Sequence, residues 1–271
     1  MTPRRLRKFH LSVALSLSFF FAVSLSARPN GVPAAAVAAQ AGSPQIPNGT
    51  ILPVRLNHSF SARSVQTGQT ISARIMQSVP LPGGGAIPVG ATVSGKILSV
   101  TPAANGAAES VSLAFKELSF DHQKFAIAVD LRALASFMEV NLAQVPDQTI
   151  GFGTPATWAD STQIGGDSVY GSGGEVTDRE NHPVGKALYG GGVLVHVRTQ
   201  PGAPCRGPLD GDDRLQALWI FSSDACGVYG LRGVSIAHAG RDEPSGVITL
   251  AAPAGALKVH AGSGMLLRVL Q

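Results

Sequence analysis

From Ile46 onward, short apolar runs alternate with turn residues, and within the runs the alternation has the two-residue period of half-buried strands. Thr50–Leu56 and Gln69–Met76 read as strands, the second with Ile71, Ala73 and Ile75 on one face. Thr92–Val100 is a third. Val111, Leu113 and Phe115 alternate with Ser112, Ala114 and Lys116, and Phe125, Ile127 and Val129 repeat the pattern after Asp121-His122-Gln123, which predicts a hairpin. Gly83-Gly84-Gly85 reads as a hairpin tip, since it lacks the Lys-Ser/Thr of a phosphate-cradling loop. Leu131, Leu134 and Met138 fall at helical spacing and predict one short helix within Leu131–Val140.

Residues 141–190 lose the period: Pro146, Pro155, Gly165-Gly166 and Gly171 to Gly174 are scattered among polar residues, and the stretch reads as an irregular excursion. Strand signals return with Val193, Val195 and Val197, the wholly apolar Ala217–Phe221, Val234 with Ile236, Val247–Ala251, Leu257 with Val259, and Met265–Leu270. The last run is expected to pair with an earlier strand, because an unpaired apolar strand is an aggregation hazard. The expected fold class is all-β: a soluble β-barrel or sandwich of short strands, with a long irregular excursion and at most one short helix. The 32 Gly and 18 Pro suit many turns, and aromatics at 6% are too few for the girdles of a transmembrane barrel.

The chain begins with a different pattern. Arg4, Arg5, Arg7 and Lys8 precede an apolar, serine-interrupted run from Leu11 to Ala27, the layout of a cleaved secretory signal peptide. Cleavage is expected after Ala27 or after Ala41, and no cysteine follows the run to direct lipoprotein processing. The expected organisation is therefore 1–27 signal peptide (cleavage as late as 41), 28–45 an Ala/Pro-rich tether, 46–140 a barrel-like first half, 141–190 the excursion and 191–271 a C-terminal β half. The expected address is periplasmic or extracellular, with no transmembrane segment after cleavage. Export also changes the charge: the whole chain is at +4, but residues 1–41 hold five basic side chains and no acid, leaving 16 basic against 17 acidic. No basic patch interleaved with aromatics remains, so nucleic acid is not an expected partner.

An exported chain meets oxidising conditions, and Cys205 and Cys226 are its two cysteines. A disulfide between them would close a loop of about 20 residues and contribute about 3 kcal/mol by the chain-entropy estimate. Their spacing is not the Cys-x-x-Cys of a redox pair.

Ile46-Pro47-Asn48-Gly49-Thr50, Val54-Arg55-Leu56, Thr67-Gly68-Gln69, Ile87-Pro88-Val89-Gly90-Ala91 and Gly95-Lys96-Ile97 together resemble a pattern of exported bacterial envelope proteins, and of the β-barrel of type IV secretion and conjugation scaffold subunits. The resemblance covers about residues 46–130 and implies a barrel whose turns fall at Gly49 and Gly90. Ala217 to Phe221, Asp224 to Gly230 and Ser263 to Arg268 look like the C-terminal part of the same envelope group. It implies no activity. Scaffold subunits carry an inner-membrane helix, a long Pro-rich spacer and a helical antenna, none of which is read here.

The search for chemistry returns no catalytic, cofactor-binding or metal site. Gly166-Asp167-Ser168 lacks the Gly-x-Ser-x-Gly elbow of a nucleophilic serine and reads as a polar turn. His58, His122, His182, His196, His238 and His260 are dispersed without metal-ligand spacing. Asp210, Asp212 and Asp213 lack the distal ligands of a calcium loop and read as a solvated turn. No cofactor is expected. The expectation is an exported non-enzymatic envelope protein, a structural or binding β domain whose partner is an envelope protein or a glycan. The alternative is a secreted hydrolase or carbohydrate-active enzyme with a site assembled from distant residues.

Overall fold

Alternation builds the first half as expected. The computed structural model describes residues 45–104, 107–145, 160–199, 203, 205, 213–237 and 246–270. Gly49 and Gly90 both adopt positive φ, as the two expected turns require. β1 (Ile51–Leu56) and the short β2 (Phe60–Ser61) lead to β3 (Thr70–Ile75), which buries Ile71, Ala73 and Ile75. β4 (Val79–Pro80) and β5 (Ala86–Ile87) form a hairpin around Gly83–Gly85. The long pair β6 (Thr92–Thr101) and β7 (Glu109–Phe120) follows, and Asp121 and His122, both at positive φ, turn the chain into β8 (Gln123–Ala126). One residue later β9 (Ala128–Ala135) begins.

The helix starts later than the spacing predicts. Leu131 and Leu134 lie in β9, and α1 is Phe137–Leu142, with Met138 exposed on it. A β-bulge explains the misleading three-residue spacing: Leu266 pairs with Ala133 and Leu267 with Leu131, so Arg132 is the extra residue and parity changes there. Leu131 and Leu134 consequently reach the same core. α1 itself starts at a capping serine, Ser136, whose Oγ accepts the Glu139 N–H.

The excursion is also corrected. Residues 146–159 lie outside the described residues, but β10 (Ser161–Thr162), β11 (Ser168–Val169), β12 (Glu175–Thr177) and β13 (Pro183–Ala187) are strands, continued by β14 (Val193–His196) and β15 (Leu215–Ala217). They make a six-stranded antiparallel meander in chain order. Strands of two to five residues between glycine turns are too short to display a period, so the sequence there reads as irregular. The apolar run at 217–221 is likewise not a strand throughout. β15 ends at Ala217, and Leu218–Phe221 is a buried turn closed by Phe221 N–H donating to Leu218 O at 2.9 Å.

The remaining strands are β16 (Gly227–Tyr229), β17 (Ser235–Ala237), β18 (Ile248–Ala252), β19 (Lys258–Val259) and β20 (Gly264–Leu270). The main sheet runs β16-β9-β20-β1-β3-β6-β7-β18-β17, with β8 on β7. Its path has two ends among the described residues, so the fold is a curled sheet layered against a second sheet, sandwich-like and not a closed barrel. β20, the expected closing strand, lies between β1 and β9.

Two cores explain why β20 is buried at every position. Met265, Leu267 and Val269 join the core inside the curl, with Val54, Ile75, Leu113 and Phe115. Leu266, with Ile51, Ala133 and Ala135, points the other way, into the core shared with Val176, Val193, Val195 and Phe221. A strand covered on both faces must be apolar in both parities. Its one charge, Arg268, is buried directly opposite the buried Asp130 of β9, so unlike charges face each other across the ladder.

Candidate functional site

The turn after β15 shapes a cleft. Trp219 adopts φ +53, a conformation that bulky residues rarely hold and that persists only where neighbours impose it. Here Gln77 imposes it: its Oε1 accepts the Trp219 N–H at 2.6 Å. Gln163 donates to the Trp219 and Ile220 carbonyls at 3.1 and 3.2 Å, with its amide oriented to match those acceptors. Ile164 N–H donates to Ile220 O, and Ser222 N–H to Ile164 O, stitching the turn to the hairpin of β10 and β11.

Facing Trp219 is the tip between β13 and β14, where Gly191 N–H donates to Leu188 O and Leu188 N–H to Gly192 O. Gly192 is required there: its φ is positive, and a Cβ would stand 2.3 Å from the Gln77 amide oxygen. The tip carries Tyr189, which is 89% exposed, with its ring lying over Gly173. The resulting cleft has a volume of about 450 Å³. Val169, Val193, Trp219 and Ile220 give it an apolar floor, Tyr189 stands at its edge, and Gln144, Gln163, Ser161 and Ser172 supply polar groups. Among the described residues none of the lining is Asp, Glu, Lys, Arg or His.

Charged groups gather elsewhere, around the loop that precedes β16. Asp167 of the Gly166-Asp167-Ser168 turn is buried, and its Oδ2 accepts the Ser223 N–H at 2.6 Å. Burial pushes its carboxyl above the ordinary range, aided by the charge of Asp224 and opposed by the Ser223 hydrogen bonds and Arg198. Asp224 accepts the Ser222 hydroxyl at 2.8 Å and faces the Arg179 guanidinium at 3.7 Å. Both carboxylates are occupied in holding the loop, and neither lines the cleft.

Asp178 is a second clasp. Its Oδ1 accepts the Glu180 and His182 N–H groups at 3.0 and 2.8 Å, and its Oδ2 takes the Arg198 guanidinium. Burial acts to raise this carboxyl, but the hydrogen bonds and Arg198 outweigh it and hold it below the ordinary range. Asp178, Glu180 and His182 bring three potential ligand atoms within 4.8 Å of one another. With the Arg198 cation already on Asp178, the cluster is accounted for as a loop anchor between β12 and β13.

The cysteines meet as a disulfide, Cys205–Cys226. Behind it the bulged Arg132 is buried and donates from Nε to Ala225 O at 3.0 Å and from Nη2 to Arg198 O at 2.7 Å. The Tyr229 hydroxyl accepts the Cys226 N–H at 3.0 Å, and burial pushes that phenol upward. The disulfide thus ties the start of β16 to the polar cluster.

The histidines stay apart: His122 occupies its hairpin turn, His196 is exposed on β14, and His260 packs on Phe137 with ring centroids 5.4 Å apart. His182 alone joins the Asp178 clasp. Asp213 is exposed, and Asp210, Asp212 and His238 lie outside the described residues. Sequence reasoning missed Gln77, Gln163, Tyr189 and Trp219. The usable signal was Leu188-Tyr189-Gly190-Gly191-Gly192, an aromatic set on a glycine tip. Among the described residues no helix is long and apolar enough to cross a membrane. Compared with known proteins, the chain matches no family model, no curated protein and no solved structure.

Proposed function

We propose that this chain is an exported, non-enzymatic β domain of the cell envelope that binds a glycan in the cleft between Tyr189 and Trp219. The carrying observation is the cleft's composition: a mainly polar surface of amide, hydroxyl and backbone groups beside the exposed Tyr189 ring and over the buried Trp219, with no charged side chain among the described residues. A sugar ring offers one apolar face and a hydroxyl rim, and such a surface matches both. Hydrolysis would need a general acid or base within reach of the bound bond, and among the described residues the lining carries none. The disulfide supports an oxidising address outside the cytoplasm, and the basic and apolar start of the chain supports delivery there, to periplasm or exterior. The curled sheet, whose sequence motifs in residues 46–130 resemble those of the secretion-scaffold barrel, serves as the frame on which the second sheet is mounted.

The test is NMR or fluorescence titration with soluble glucan, chitin and peptidoglycan oligosaccharides. Saturable changes at Tyr189 and Trp219, lost in Tyr189→Ala, are expected. No response to any of the three, or turnover of one of them, overturns the reading.

A further inference from the structure

A second cavity, of about 560 Å³, lies on the outer face of β1 and β3 and is lined by Arg55, Asn57, Arg74 and Met76 together with the Val89–Gly90 and Ala261–Gly262 turns. Arg55 and Arg74 are directly opposite each other in the antiparallel ladder. Like charges in that position destabilise a sheet. An exposed charge pair elsewhere on this sheet is of the usual kind, Lys124 of β8 on Glu117 of β7 at 3.1 Å.

Nothing among the described residues relieves the arginine pair. The cross-strand row through it continues to Gly264 on one side and to Thr92 and then Ser119 on the other, with no carboxylate. Among the described residues no acid lines the cavity, and neither guanidinium has a hydrogen bond or ion pair. Both side chains are exposed, so a solute reaches them without a large desolvation cost. Two cations held side by side in a concave site, on a protein near neutral once residues 1–41 are set aside, have the form of an anion receptor.

We infer that Arg55 and Arg74 form an oxyanion-binding site that takes a carboxylate or phosphate group. Two planar forks of donors suit such a group better than two ammonium groups, because each guanidinium can meet it with paired N–H donors. The Asn57 amide, which already donates to Ser72 Oγ at 3.0 Å, sits one step along the same face and keeps the rim polar. The site does not depend on the glycan reading. Met76 lines both this cavity and the Tyr189 cleft, so an acidic saccharide could engage both only if that reading also holds.

The experiment measures thermal melting and NMR shifts of the protein with inorganic phosphate, with glucuronate, and with chloride at matched ionic strength. Wild type, R55Q/R74Q and R55K/R74K are compared. Phosphate or glucuronate is expected to raise the melting temperature saturably beyond chloride, with apparent affinity at least tenfold weaker in R55Q/R74Q and intermediate loss in R55K/R74K. Without added anion, R55Q/R74Q is expected to melt at or above wild type, since the facing charges are gone. The stronger of the two anions identifies the source chemistry. A response equal to that in chloride, or one undiminished in R55Q/R74Q, overturns the inference. Tyr189→Ala keeps the anion response and loses the neutral glycan response, so the two readings fail separately.

Discussion

Gln77 and Val193 exchange two hydrogen bonds, the Gln77 Nε2 donating to Val193 O at 2.7 Å and the Val193 N–H donating to Gln77 Oε1 at 3.2 Å. A side-chain amide here imitates a neighbouring strand. It joins the loop after β3 to the first residue of β14, and its Oε1 also holds the Trp219 N–H. Gln77 is 1% exposed, so water does not replace these bonds if they are lost.

Gln77→Ala therefore strands the buried Val193 and Trp219 N–H groups and leaves the Val193 carbonyl with only the Leu218 N–H, at 3.2 Å. The expected loss is about 3 kcal/mol, given roughly 1–3 kcal/mol for each buried group left unsatisfied and partial relaxation of the turn. Urea denaturation measures it. Gly192→Ala should destabilise through the same contact, because the new methyl collides with the Gln77 amide at a positive φ. Unchanged midpoints in both variants would show that the amide is not the join between the two sheets.

Reduction of Cys205–Cys226, or Cys226→Ser with Cys205→Ser, should lower stability by about 3 kcal/mol, as the loop-closure estimate gives for a cross-link of this span. Non-reducing peptide mapping should recover the joined peptides. The Arg132 bonds to Ala225 and Arg198 remain in the reduced protein, so loss of the disulfide should loosen the start of β16 before it unfolds the sheet. Hydrogen exchange at Gly227–Tyr229 reports this directly.

Asp167 and Asp178 should give opposite pH signatures. Asp178 is held below its ordinary value, so its stabilisation is present above the unfolded carboxyl pKa and is lost as pH falls through the lower folded value. Asp178→Asn should thus cost stability at neutral pH, with the difference closing in acid. Asp167 is raised, so its favourable contribution is present below the unfolded pKa and is lost as pH rises through the folded one. Asp167→Asn, which resembles the protonated form, should match or exceed wild type at neutral pH and lose that advantage in acid. Melting curves from pH 3 to pH 8 distinguish the two signs.

Deletion of residues 264–270 should abolish cooperative unfolding and cause aggregation. β20 is flanked by β1 and β9, and its removal leaves two unpaired ladders and exposes both cores. A monomeric truncation with an unchanged melting curve would contradict this placement.

Period-two alternation was enough to place β3, β6, β7 and β8, whereas β1 and β20 were legible as continuous apolar runs, because they are buried at nearly every position. The turns at Gly49 and Gly90 and the Asp121-His122 hairpin were legible for the same local reason: the backbone conformation there is set by a few adjacent residues. The disulfide was expected from two cysteines in a chain whose first residues read as an export signal. The six-stranded meander was not legible, since strands of two or three residues carry no period, and their pairing is decided by cross-strand partners. Leu131 and Leu134 mimicked a helix because the bulge at Arg132 shifts strand parity, which only the pairing with β20 reveals. The candidate site depends even more on tertiary structure. Gln77 lies 116 residues from Val193, the partner of its paired hydrogen bonds, and Arg55 becomes the neighbour of Arg74 only through the register of two strands. Local sequence sets local backbone preference and facing; contact between distant side chains is fixed by the energy of packing and hydrogen bonding across the whole fold.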